Sequence, residues 1–429
     1  MARFTATPAS GSTKGEPGGA PKPARKGNAV GPILWEWLSM GVRWLHVIAG
    51  IAWIGSSFYF VHLDQSLKQR PGLPEGAGGE AWQVHGGGFY NMVKYLVAPA
   101  RMPEELTWFK WEAYATWLSG MGLLIIVYYF GAQLYLIDAS VLDLASWGAV
   151  LISVAGLALG WVVYDQLCKS KLGDNDTLLF AVLFLFLVVL AFGYTFVFSG
   201  RGAFMQMGAL VGTMMVANVA MIIIPKQRIV VADLIAGRQP DPKLGAVAKQ
   251  RSLHNNYLTL PVIFVMIANH YPLAFATRWN WLIFGIVLVI GAVVRHFYNT
   301  RHQGKPSPWW TWAVAAAGMI AIILLSAAGP ATTEESAAPS AEPVTFAQAE
   351  EVVLGRCSMC HTAEPFWEGV YAAPKGVMLD TPERILQHAE QIGLQVVHTH
   401  AMPPGNITEI TPEERQVLAA WIADGAKPE

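Results

Sequence analysis

Cys357, Cys360 and His361 lie in the stretch RCSMCH with the spacing C-x-x-C-H. Two thiols so placed can add across the vinyl groups of a haem, and the adjacent imidazole supplies an axial nitrogen to its iron. A zinc site would need two further ligands at comparable spacing. A thioredoxin-like redox pair would need a βαβ setting, which the helical patterns on either side deny. The spacing therefore implies one covalent c-type haem. A Met thioether is the expected sixth ligand, and Met402 in the Pro-rich turn HAMPPG is assigned to it, making His361 and Met402 the two metal ligands. Met378 in KGVML is the rival; Met359 lies inside the motif and cannot reach round. His398 and His400 read as exposed polar residues, and the third cysteine, Cys168, as an inert thiol closing an apolar run.

The motif needs a scaffold, and residues 344–429 carry one. Helical patterns occur at FAQAEEVVLGRC, TPERILQHAEQI and TPEERQVLAAWIADG. Thr381 and Thr411 each precede Pro and Glu, which supplies a capping hydroxyl, a proline at the first helical position and an acid in the first turn. Residues 344–429 are thus expected to form a small, class I-like cytochrome c domain. Residues 329–343, GPATTEESAAPSAEP, have no periodicity and read as a linker.

The rest of the chain has a different character. Of 429 residues, 53% are hydrophobic and only 14% charged, and the mean hydropathy is +0.37. A soluble chain would carry nearer a quarter charged residues, so this is the composition of a membrane protein. A net charge of -1 gives no hint of nucleic acid. Residues 1–30, rich in Pro, Gly, Ala and Lys and without an apolar core, read as a disordered tail rather than a signal peptide.

A span requires about 20 mostly apolar residues. Eight stretches qualify: Leu34 to His62, Trp111 to Ile137, Ala145 to Leu167, Thr177 to Ser199, Ala203 to Ile224, Leu253 to Ala274, Trp279 to Phe297, and Trp310 to Ala328. The expected fold is all-α, an eight-helix membrane domain over residues 31–328. Loop cations collect between spans five and six (Lys226, Arg228, Arg238, Lys243, Lys249, Arg251), and after spans one and seven, which places those loops in the cytoplasm. Both termini then lie outside, which strands the basic tail on the unfavoured side. Covalent haem attachment in bacteria takes place outside the cytoplasm, and it demands the same orientation for residues 344–429.

Ionisable groups within spans are costly and mark function by default. His46 and His62 on span one, and His254 and His270 on span six, are sixteen residues apart in each pair, roughly 24 Å of helix rise. His46 and His270 fall near the outer face; His62, His254 and His296 fall near the cytoplasmic one. Paired imidazoles could hold b-type haem and make a wire across the bilayer. Sixteen steps turn a side chain by roughly 160°, however, so two straight helices cannot sandwich two stacked haems. One haem held by His46 and His270, or ligands from more helices, remains. On the cytoplasmic side, HGGGFYNMVKY (His85 to Tyr95) offers glycines for close backbone approach, with a flexible turn as the plainer reading. HNNYLTLP (His254 to Pro261) offers an imidazole, two amides and a phenol, donors suited to a planar, anionic heterocycle.

The stretches WLHVIAGIAWIGSSFYFVHLD, VHGGGFYNMVKYLVAP, LTWFKWEAYATWLSG, HNNYLTLPVIF, ANHYP and RCSMCHTAEPFWEGV through THAMPPGN resemble the bacterial membrane-bound urate oxidase (urate hydroxylase) family. The resemblance covers almost the whole chain apart from the tail and linker. It implies oxidation of urate to 5-hydroxyisourate, with electrons passed to cytochrome c rather than directly to dioxygen, in a multi-pass protein of the bacterial inner membrane whose haem domain is periplasmic. LHVIAGIAWIGSSFYF is more loosely similar to the first helix of membrane protoporphyrinogen oxidases. By side and spacing, His85 or His254 is expected to accept a proton, Asn255, Asn256 and Tyr257 to position urate, and His46 with His270 to hold a relay haem b. A terminal cytochrome oxidase or soluble acceptor would take the electrons. The rival expectations are a quinol to cytochrome c module without purine chemistry, and a cytochrome c merely tethered by its helices.

Overall fold

The computed structural model describes residues 30–99, 102–329, 344–367 and 369–428. The expected tail and linker lie outside them apart from their flanking residues Val30 and Gly329.

The first helix, α1 (Val30–Ser66), is 37 residues long, about 55 Å at 1.5 Å per residue, so it outruns a hydrocarbon core of about 30 Å. A two-stranded antiparallel hairpin follows its inner end, β1 (Ala77–His85) and β2 (Gly88–Tyr95). This amends the all-α expectation. Gly86 and Gly87 form its two-residue turn with φ of 57° and 77°, the left-handed pair that such a turn demands and that glycine adopts without strain. The GGG run is therefore turn chemistry. Lys94 pairs with Asp64 at 2.7 Å and Tyr59 donates to Gln83 Oε1 at 2.7 Å, so the hairpin is moored to α1.

α2 (Trp111–Leu123) continues through a π-helical segment, Leu124–Tyr129, and a single turn follows, α3 (Ala132–Tyr135). Next come α4 (Ser146–Lys169), α5 (Asp176–Tyr194) and α6 (Gly200–Ala217), which passes through a second π segment, Asn218–Ile223, into α7 (Ile224–Ile235). Ser199 caps α6 by accepting from the Gly202 N–H at 3.0 Å, a cap contributing about 1 kcal/mol. α8 (Pro242–Ala268), the short α9 (Pro272–Phe275), α10 (Asn280–His302) and α11 (Trp310–Ala327) complete the bundle.

α6 runs through the centre, with Phe204, Met207, Leu210, Val211 and Met214 buried against α4, α5, α8 and α10. Trp37, Trp44, Ile51, Trp147, Leu185 and Leu324 face outward instead. An apolar exterior of this extent suits lipid, not water. Among the described residues, six helices are long and apolar enough to cross a membrane: Ile33–Ser66, Ser146–Lys169, Asp176–Tyr194, Gly200–Ile235, Asn280–His302 and Trp310–Ala327. The other two expected spans are also helical, but the first breaks at Gly131 and α8 carries a buried polar face.

The C-terminal unit is separate in sequence and has its own core. α12 (Phe346–Arg356) and α15 (Pro412–Ala423) are its first and last helices, and α13 (Pro382–Gln387) and α14 (Ala389–Ile392) lie between them. Thr345 with Gln348, and Thr411 with Glu414, form reciprocal capping boxes. α12 packs on α15, with Phe346 against the buried Trp421 at 5.7 Å, and Arg356 Nη2 meets Glu414 at 2.9 Å.

Candidate functional site

The end of α12 delivers the C-x-x-C-H triplet. Cys357 is buried and Cys360 half-buried, both as free thiols, and burial pushes the Cys357 thiol up to about 12. Its carbonyl accepts from the N–H groups of Cys360 (3.1 Å) and His361 (3.0 Å), a tight turn that gathers the three side chains. The His361 ring places Nδ1 at 2.9 Å from the Val377 carbonyl. Donation there orients the imidazole and leaves Nε2 as the lone-pair nitrogen for a metal. Among the described residues, no three His, Cys, Asp or Glu side chains converge as a metal-ion site.

Met402 packs against the same core as Cys357. Its N–H donates to Gln395 O at 3.0 Å, and its carbonyl accepts from the buried Arg415 at 3.1 Å, so the loop that carries the sulfur is held from both sides. Met378 follows Val377, the residue that orients His361, whereas Met402 comes from a separate segment. Cys357, Cys360 and His361 fit the attachment of a c-type haem. His398 is exposed as expected, but His400 is half-buried, and burial pushes its imidazole down to about 4. Its exposed reading is corrected: a φ of 51° folds it into the turn before Met402.

The unit meets the helical bundle at the turn after α3 and, beside Gly329, at the His398 carbonyl. Gly405 has φ 55°, and a Cβ on it would stand 2.5 Å from the Ile137 carbonyl, just beyond α3. The Met402 loop thus abuts the turn between α2 and α4.

At the opposite end of the bundle, the helices bury a cluster of polar side chains. α8 supplies Arg251, His254, Asn255 and Asn256, all at most 6% exposed. Residues 251, 254 and 255 share one face by helical spacing and meet α4 and the segment after α6. Arg251 donates to Asp165 at 2.7 Å and to Asn218 Oδ1 at 3.2 Å. His254 Nδ1 meets the Tyr164 hydroxyl at 2.8 Å, and Asn218 donates to Tyr164 and to Asn255 Oδ1 at 2.8 and 2.9 Å. Arg251 is therefore no loop cation, as its place in the basic run suggested, but half of an interior ion pair.

Asn256 turns the other way. Its Oδ1 accepts from Arg295 Nε at 3.3 Å and from Asn299 at 3.0 Å, both on α10. The Arg295 guanidinium lies 3.8 Å over the Phe58 ring of α1. Four residues beyond Phe58 on α1 and seven beyond Arg295 on α10, His62 and His302 meet edge to face at 4.4 Å.

Of the other residues singled out by sequence, Tyr257 is half-buried against Phe180 at 5.3 Å, near His254. His85 sits exposed at the hairpin turn, with no contact to that cluster. His46 faces α2: its Nδ1 lies 2.9 Å from Thr116 O and 3.2 Å from Ser119 Oγ, over Gly120. His270 is exposed beyond the end of α8, and no contact joins it to His46. Sequence reasoning missed Asp165, Tyr164, Asn218, Arg295, Asn299 and His302. An arginine inside the apolar run GAVVRHFYN was the available signal.

The architecture is thus a multi-helix, apolar-surfaced bundle, compatible with a membrane and with a polar interior at one end, followed by a small unit carrying C-x-x-C-H. Residues 32–326 match the family model described as urate oxidase N-terminal, and the chain belongs to that family. No curated protein and no solved structure matches it.

Proposed function

We propose that this protein oxidises urate to 5-hydroxyisourate in the bacterial inner membrane and delivers the electrons to a c-type haem on its own C-terminal domain. The observation that carries the reading is the union, in one chain, of the family match over residues 32–326 with C-x-x-C-H residues whose thiols are free and whose imidazole is already oriented. Urate and one water give 5-hydroxyisourate, two electrons and two protons. Cys357 and Cys360 would hold the haem covalently and His361 and Met402 would ligate it; when bound it would supply a one-electron acceptor. A terminal oxidase or soluble acceptor then draws the electrons away.

The proposed topology has eight spans, with α2 and its π extension and α8 joining the six apolar helices, and both termini outside. Contact of the Met402 loop with the turn after α3 supports this, because that turn carries Asp138 and Asp143 and no cation, the mark of an outside loop. The buried polar cluster of α8 then lies toward the cytoplasmic side.

The test is anaerobic reduction of the c-type haem in membranes containing the full chain. Urate should reduce it, with 5-hydroxyisourate formed at one molecule per two electrons. Reduction by quinol and not by urate would replace this reading with a quinol to cytochrome c module.

A further inference from the structure

The bundle buries two arginines at its cytoplasmic end, and they differ in one respect. Arg251 has a carboxylate, Asp165, at 2.7 Å. Arg295, 6% exposed, has no carboxylate partner among the described residues; its hydrogen-bond partners are the amide oxygens of Asn256 and Asn299, and its face lies on Phe58. A buried guanidinium without a counter-charge is costly, and amide oxygens do not neutralise it. Unpaired polar atoms gather at the same place. His62 Nδ1, Gln65 Oε1, Asn256 Nδ2 and His302 Nδ1 are all buried atoms without a partner, and Asn256 is fully buried; the Arg251 network leaves two such atoms, Arg251 Nε and His254 Nε2, but holds a carboxylate, Asp165. Such groups are normally satisfied. Their helical placement accounts for the convergence: Phe58, His62 and Gln65 on α1, and Arg295, Asn299 and His302 on α10, follow the same i, i+4, i+7 stripe, and α8 adds Asn256 between them.

We propose that this seam between α1, α8 and α10 is the urate-binding site, taking the substrate as its anion. The inference rests on the function proposed above and names the site for it. Arg295 supplies the counter-charge, and the free Asn256 amide donates to a purine oxygen. Phe58 gives an aromatic wall already in contact with the guanidinium. His62 and His302, at the cytoplasmic mouth, present ring nitrogens that can donate to the oxygens of urate or accept from its N–H groups according to tautomer. His254 and Asn255, by contrast, serve the Arg251 ion-pair network and are positioning residues for α8.

The test is equilibrium binding of radiolabelled urate to the dithionite-reduced holoprotein, where turnover is blocked, in nanodiscs of phosphatidylcholine alone. Arg295→Gln should raise Kd at least about 30-fold, as for one side of a buried charge pair, and Arg295→Lys by less, because the charge stays while the fork is lost. Arg201→Gln, at the outer end of the bundle, should leave Kd within about threefold. Asn256→Asp keeps the shape and places a carboxylate against Arg295. It should abolish binding while leaving thermal stability and haem content intact, so loss of binding there is not loss of fold. If the wild-type protein, haem-loaded and monodisperse, binds no urate, the proposed function itself falls. If it binds urate and Asn256→Asp or Arg295→Gln binds equally well, the function stands and this site is wrong. Co-purification of a stoichiometric anionic lipid that Arg295→Gln loses, with urate affinity unchanged, would likewise overturn it in favour of a lipid headgroup.

Discussion

Removing the Asp165 carboxylate separates the structural arginine from the functional one. Asp165 is 7% exposed and accepts from Arg251, itself 1% exposed, at 2.7 Å; it also meets the outward Lys169 at 2.5 Å. In Asp165→Asn, Arg251 keeps its bond to Asn218 and its place 5.0 Å over the Tyr164 ring, but loses its only counter-charge among the described residues. Breaking one side of a buried pair costs about 3–5 kcal/mol, whereas replacing both sides with apolar groups is often close to neutral. At roughly 2–4 °C per kcal/mol, Asp165→Asn should lower the apparent melting temperature of the purified holoprotein by roughly 6–20 °C. The double variant Asp165→Leu/Arg251→Met should recover most of that loss. Melting is followed by retention of the monodisperse chromatographic peak after heating, and urate affinity is measured well below the transition, where it should be unchanged in Asp165→Asn. A double variant as unstable as the single one would refute the ion-pair argument. Lost urate affinity in a folded Asp165→Asn would show that the Arg251 side of α8, not the Arg295 side, meets substrate.

The C-terminal unit gives three further expectations. His361→Ala, with the membrane bundle intact by chromatography, should lose urate-dependent haem reduction; full urate oxidation in that variant would mean that dioxygen or quinone takes the electrons directly. Gly405→Val should slow urate-to-haem electron transfer at least severalfold while leaving the haem spectrum unchanged, because the added side chain would collide with the Ile137 carbonyl where the Met402 loop meets the bundle; unchanged transfer would show that this contact does not govern it. Burial pushes the Glu414 carboxyl up, but Arg356, the Thr411 N–H and the Arg415 charge together hold it below the usual range, and hydrogen bonding from Arg384 holds Asp380 low. Their stabilisation is present above the unfolded carboxylate values, about 4, and is lost as pH falls through the lower folded values. The haem domain of the full chain should therefore melt earlier below about pH 4, and Glu414→Gln should flatten that dependence.

What the sequence made legible was local. The Thr411 capping hydroxyl and the apolar length of α1 are each set within a few turns of chain, and each stands where expected. The hairpin was obscured because three glycines describe a turn and a ligand cradle equally well; only the pairing of Val84 with Phe89 across it decides. The polar run His254, Asn255, Asn256 announced a buried site, but not that consecutive residues face different neighbours. At about 100° per residue, Asn255 points to Asn218 and Asn256 to Arg295. That division depends on which helices flank α8, a tertiary fact. Arg251 and Arg295 were hidden for the same reason: each lies near other cations at a span end and reads as an interfacial charge until its depth is known. Burial alone does not rank them, since both are almost fully enclosed. Neutralisation does. An interior cation with its own carboxylate completes the fold, whereas one enclosed by amides and unpaired imidazoles asks for an anion from outside. Urate is an anion at neutral pH, so of the two arginines at this end of the bundle Arg295 is the one where the proposed substrate and the electrostatics agree.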